Sequence, residues 1–159
     1  MWVIFDDGDE LIWNDPAASI RISDIVGQPV ILKPEAEIPH FDDSAIHIIT
    51  SASLSWLQNL LPEARLDPRR FRQNIVVDCE GEGRIEHKWI GHSAYIGTCE
   101  FEIVSSAERC LMTTLAQGDL PQDPSLLTTI GREASLNFDV YANVVNSGTI
   151  TIGDRSVVG

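Results

Sequence analysis

The stretch WIGHSAYIGTCEFEIV, residues 89–104, sets Gly91 and Gly97 between short apolar pieces, the pattern of two strands joined by tight turns. Working outward, NIVVD (74–78) upstream has strand character, and NFDVYANVV (137–145) downstream alternates apolar with polar residues before the turn NSG and a second run, TITIGDRSVV. That pattern predicts a closing hairpin. Further upstream AIHII (45–49) is apolar and β-branched, a predicted strand, and the period then changes: Leu54, Leu57 and Leu61 recur at helical spacing with Leu60 beside them. Thr50 or Ser51 can cap the helix so formed, of two to three turns.

The N-terminal forty residues continue the β theme. WVIF (2–5) and ELIW (10–13) flank DDGD and read as a hairpin with a glycine turn, and VILK, between Pro29 and Pro34, reads as another short strand. After FEIV come SSAERCLMTT, a loop (AQGDLPQDP) whose two prolines forbid regular structure, and PSLLTTI, a short helix with Pro124 in its first turn. Many short strands, few helices and glycine-rich turns predict a mainly β fold, a barrel or partly open barrel with a few helical insertions, α+β by count. No repeat, low-complexity tract or linker divides the chain, so residues 1–159 read as one domain, residues 1–39 being a short N-terminal β segment.

Composition narrows the function classes. The chain is 43% apolar and 22% charged, an ordinary folded protein, and 159 residues suffice to bury roughly two thirds of the unfolded surface. No run reaches the length a membrane span needs, and no basic leader precedes an apolar core, so a cytoplasmic location is expected. Three cysteines, Cys79, Cys99 and Cys110, read as thiols. The net charge of −13 repels nucleic acid and anionic membranes. Against it stand Arg65, Arg69, Arg70 and Arg72, four of nine arginines within eight residues. Such a cluster is either a solvated turn or a local anion site.

Five segments in order carry a resemblance: IHIITSASLSWL, then RRFRQN followed by IVVD, then Trp89-x-Gly91 with YIG, then ERCLMTT, then FDVYANVVNSGTITIGD. Together they resemble the MOSC domain, the C-terminal domain of molybdenum cofactor sulfurases, from about residue 40 to the end. The spacing RC-x-x-TT followed by a long loop and GTI-x-x-GD is most similar to the amidoxime-reducing branch. The resemblance implies a MOSC-type β-barrel that binds molybdenum cofactor (molybdopterin), with Cys110 as metal ligand and catalytic residue. It implies that Arg72 and Asn74, matching the Arg and Asn of an FRPN motif, contact the cofactor and that Thr113 lies close by; Arg70 and Arg109 complete the expected cofactor-binding set.

The residue chemistry agrees with those roles. A thiolate is a soft ligand for molybdenum and equally a persulfide carrier. Arg109, next to Cys110, is a cation that favours the thiolate if turned inward, while Arg72 offers a planar fork for phosphate or a pterin edge. Read on its own, Cys110 is a small buried hydrophobe, as most free cysteines are; only the resemblance turns the reading toward a ligand. Cys79 and Cys99 match no family position and are expected to pack in the core, as are Trp56 and Trp89. The histidines His40, His47, His87 and His92 have no metal-motif spacing, so no zinc is assigned.

The chain departs from the family in three ways. Gln73 stands where FRPN has proline, Asp139 where the downstream aromatic motif has glycine, and only some forty residues precede the match, where reductases carry a subdomain supplying basic residues. A carboxylate at 139 facing the pocket would repel an anionic cofactor. Nothing resembles the pyridoxal-phosphate desulfurase part of sulfurases, so pyridoxal phosphate is not expected. The implied activity is reduction of an N-hydroxylated substrate, served by an electron-donor protein. The alternative is a non-redox sulfur carrier fed by a cysteine desulfurase, or a partner-binding module using the same cysteine.

Overall fold

The computed structural model describes residues 2–34, 36–37 and 43–159, which divide into two compact units, Met1–Asp42 and Asp43–Gly159. In the first unit β1 (Trp2–Ile4) and β2 (Glu10–Ile12) form the expected antiparallel hairpin, Val3 opposite Leu11. Arg21 closes it, ion-paired to Asp7 and Asp9 with its guanidinium 4.0 Å over the Phe5 ring. Arg21 belongs to α1 (Pro16–Val26), a helix absent from the sequence expectation. Its start is well made: Asp15 accepts from the Ala17 N–H at 2.9 Å and Pro16 sits in the first turn, where its missing N–H costs nothing. VILK is not a strand. Its amides are instead taken by helix hydroxyls, Val30 N–H donating to Ser23 Oγ and Leu32 N–H to Ser19 Oγ, so the segment has no need of a sheet partner.

The second unit is a six-stranded mixed sheet curled into a half-barrel, the partly open form of the expected mainly β fold. β3 (Ile46–Thr50) runs parallel to β4 (Ile75–Val77). A parallel pair demands a crossover, and α2 (Ser51–Leu60) with the one-turn 3-10 helix Pro68–Phe71 supplies it. Thr50 caps α2 through the Ser53 N–H, as the sequence suggested. β5 (Ser93–Ile96) and β6 (Cys99–Glu108) form the hairpin read from residues 89–104, but β6 runs on through the polar SSAE to pair with β7 (Asn137–Asn146). The sheet order is β4-β3-β7-β6-β5, and then β8 (Ser156–Val158).

That last neighbour corrects the closing hairpin. β8 pairs with β5, Tyr95 opposite Val157, and not with β7. Residues 149–155 cross from one strand to the other, pinned where Thr98 exchanges hydrogen bonds with the Thr149 backbone. A side chain at Gly148 would stand 2.4 Å from Thr98 Oγ1, so only glycine permits this crossing. α3 (Pro124–Ala134) is the predicted short helix, one turn longer. Two apolar clusters hold the unit. Ile48, Phe101, Ile103 and Val140, joined by Cys99 and the half-buried Cys79 and Trp89, fill one; Ile49, Leu57, Phe71, Leu126 and Phe138, with Trp56 against them, join α2 and α3 to the sheet in the other. Among the described residues no helix is long and apolar enough to cross a membrane.

Candidate functional site

Cys110 follows the end of β6. It is exposed, and its carbonyl accepts from Thr113 Oγ1 at 3.0 Å, which closes the one-turn 3-10 helix Leu111–Thr114 beneath it. Thr113 is buried, so its role is to shape the thiol's loop. Leu111 and Met112 beside the thiol are exposed, an apolar lip around a polar atom.

Arg109 is turned inward, 8% exposed. Its backbone N–H donates to the Leu136 carbonyl, its Nη1 donates to the Phe71 carbonyl at 3.0 Å, and its Nε lies 3.4 Å from Asp139 Oδ1. One side chain thus ties the ERC segment to FRQN and to FDVY. On the other side of Asp139, Oδ2 lies 2.8 Å from His47 Nε2. Asp139 is wholly buried, and its charge faces this arginine and histidine, which removes the repulsion feared from a carboxylate at that position. These are ion-pair distances without hydrogen-bond alignment. Among the described residues both Asp139 oxygens, His47 Nε2 and Arg109 Nε therefore lack a well-directed partner. Buried polar groups are nearly always satisfied, so this cluster is costly, and costly buried charge is where function concentrates. Tyr141 completes it, its ring 5.5 Å from that of His47. Burial holds the Tyr141 phenol above its ordinary value; Arg109 opposes the rise and Asp43 and Asp139 add to it.

The four clustered arginines have different fates. Arg65 and Arg69 are ion-paired to Asp119, and Arg69 also to Asp67, whose carboxyl it holds down to about 2. Arg70 is 1% exposed and donates to the carbonyls of Arg65, Leu115 and Pro121. That corrects its expected cofactor contact: it is a strut that straps the loop after Cys110 onto the FRQN turn. Of the three exposed arginines in the cluster, Arg72 alone makes no side-chain hydrogen bond or ion pair among the described residues. Its backbone is left-handed, φ 56°. Proline at 73 would confine the residue before it to extended conformations, so Gln73 is what permits this geometry. Asn74 bridges to β3, its N–H donating to the His47 carbonyl and its Oδ1 accepting from the His47 N–H at 2.8 Å. Nδ2 is left to donate elsewhere. Asn74 also stands at one end of a cleft of about 760 Å³, lined further by Val76, Asp78, Ile150, Ile152 and Arg155; Cys110 is not among its lining residues.

The ERC loop, the FRQN turn and the first residues of β3 and β4 thus meet around one buried polar cluster. A model of the MOSC domain family matches residues 32–157. The chain belongs to the MOSC family. The match begins at residue 32, earlier than the sequence pieces alone placed it. The crystal structure of YiiM from Geobacillus stearothermophilus is similar in fold, with a TM-score of 0.56 at 18% identity over 74% of this chain. The aligned part makes up 55% of that chain, little more than half its length. No curated protein matches significantly. MOSC domains are associated with the C-terminal part of molybdenum cofactor sulfurases and are linked in general to binding of that cofactor.

For this MOSC domain the residue types at hand suit such a group: an exposed soft thiol, a free planar cation at Arg72 and a free amide donor at Asn74. Sequence reasoning missed His47, Asp139 and Tyr141 as a unit. A signal existed for Asp139, which departs from the family glycine inside an apolar strand; none marked His47, which looks like any polar residue in an alternating run.

Proposed function

We propose that this MOSC protein holds molybdenum cofactor through Cys110, with Arg72 and Asn74 binding the cofactor's polar and anionic edge and Thr113 and Arg109 fixing the thiol's loop. The observation that carries the reading is the Arg109 bridge: its bond to the Phe71 carbonyl ties the loop of an exposed thiol to the turn that bears Arg72, whose side chain has no partner among the described residues. When bound, the cofactor would supply a two-electron redox centre at the metal. The nearest branch in motif spacing is the amidoxime-reducing one, which suggests reduction of an N-hydroxylated compound. Two electrons from a donor protein and two protons then turn N–OH into N–H and release water. The chain's own residues bind, orient and balance charge. A cytoplasmic setting suits a reduced thiol and such a donor.

The test is metal and pterin analysis of protein from a cofactor-competent host, wild type beside Cys110→Ser. Molybdenum and pterin in the wild type, with molybdenum lost in the variant, is the expected result; neither in either protein defeats the reading. A second reading is favoured by the same exposed thiol, a persulfide relay. Mass spectrometry after incubation with a cysteine desulfurase separates it, since a persulfide confined to Cys110 is its signature.

A further inference from the structure

The geometry points to a strand-addition site: the open seam of the half-barrel receives an extended partner peptide, aliphatic at alternate positions and basic at its ends, as a new strand along the free edge of β4. The inference uses neither Cys110 nor Arg72 and stands apart from the cofactor reading.

β4 and β8 are the two outer strands of the sheet, and the half-barrel is open between them. The cleft of about 760 Å³ lies at that opening, lined by the whole of β4 with its neighbours Asn74 and Asp78 and by residues 150–156, which lead into β8. Edge strands are usually shielded by a lysine, a proline or a bulge, because a bare row of N–H and C=O groups templates another strand. Ile75, Val76 and Val77 supply none of these, and their register with β3 is unbroken.

The phase of β4 decides which groups it offers. His47 meets Asn74 through both its N–H and its C=O, so His47 and, two residues on, Ile49 face β4. With Ile49 opposite Val76, it is Ile75 and Val77 that bond to β3. The N–H and C=O of Val76 therefore point along the open edge, where a peptide strand can take both. The side chains agree. Val76, Ile150 and Ile152 are exposed, and Val77 and Ile96, members of the first apolar cluster, line the cleft as well. A strand laid beside β4 thus sends alternate side chains toward the barrel's own core.

Charge selects the occupant. Asp78 and Asp154 outnumber Arg155 among the lining residues, in a chain of net charge −13. Basic ends are drawn to such a cleft and acidic ones repelled; a second copy of this chain brings the same negative charge and is disfavoured. β4 with its two neighbours spans about 16 Å at the rise of an extended chain, which sets the length of the added strand at about five residues.

The test titrates the full chain with a labelled, end-capped peptide KVTVTVK, valines on one face and threonines on the other, and follows amide NMR shifts. Saturable binding with shifts concentrated in residues 74–78 and 150–156 is expected. The peptide EVTVTVE should bind severalfold more weakly, with the gap closing in high salt. Of two KVTVTVK copies methylated on alternate backbone nitrogens, one in each phase, one should lose binding. Val76→Pro removes the outward N–H without taking a bond from β3 and should weaken binding about tenfold. Should that variant not fold, Ile152→Lys, at a side chain 104% exposed, should weaken KVTVTVK severalfold and narrow its lead over EVTVTVE. No saturation at about 1 mM peptide, binding kept by both methylated copies, or shifts confined to other segments overturns the inference. So does a dimer in sedimentation that Val76→Pro dissolves, since the edge would then belong to a second copy.

Discussion

Two arginine–aspartate constellations flank the thiol loop, and they are built on opposite terms. Arg65, Arg69, Asp67 and Asp119 lie on the surface, their side chains 26–58% exposed, joined by well-directed bonds. Arg109 and Asp139 lie inside, 8% and 0% exposed, and are poorly aligned. Water screens the first set, so its good geometry is worth little. The second set has no water to fall back on, so each partner is held by what the other would lose. Good bonds on the surface add little; poor ones inside hold a charge balance.

The sharpest way to break this contrast is to remove one partner of the inner pair. Arg109→Ala strands a buried carboxylate and should cost about 3–5 kcal/mol in denaturant unfolding. Replacing both Arg109 and Asp139 with apolar residues should cost far less than the single change, and equal costs would contradict the account. An intermediate effect is expected at Arg70, buried like the inner pair but bonded to carbonyls. Arg70→Ala should cost about 2–3 kcal/mol and raise hydrogen exchange in residues 115–121, which its guanidinium holds. An unchanged loop would mean that the outer ion pairs do the strapping.

The smallest effect belongs to the outer set. Asp119→Ala should lower the denaturant midpoint only slightly, and less still in high salt. Its pH dependence has a definite sign. The folded carboxyl of Asp67 is depressed from 3.8 to about 2 by Arg69, and Asp119 is lowered by Arg69 and then Arg65. Their contribution is therefore complete above about pH 4 and is lost as pH falls toward about 2. Loop exchange followed from pH 5 downward checks this; loosening on the alkaline side instead would refute it.

Much of the fold is legible because it is local. The strand at 45–49, the period change into α2 and the glycine-punctuated β5–β6 hairpin are each decided within about fifteen residues, where side-chain periodicity reports the face that must be buried. α1 escaped because its exposed Ile20, Ile25 and Val26 blur the amphipathic stripe and Pro16 looks like a break when it is a start. The pairing of β8 with β5 escaped for a different reason: TITI has strand composition, but the Thr98 contact fifty-one residues away holds it out of the hairpin. Of the residues the motifs marked, Cys110 and Arg72 are exposed and Arg70 is buried, a difference no motif can give because it cannot say which of adjacent arginines turns inward.

The amino-acid sequence alone determined that the chain is a β-rich MOSC domain, because period, turn residues and motif order are properties of neighbouring positions. Tertiary structure alone decided that Arg72, among the described residues, is left without a side-chain partner, and that Arg109, Asp139 and His47 share one buried charge balance. Those outcomes depend on which groups lose their water together, and strands brought side by side from positions 47, 109 and 139 settle that only once the chain has closed.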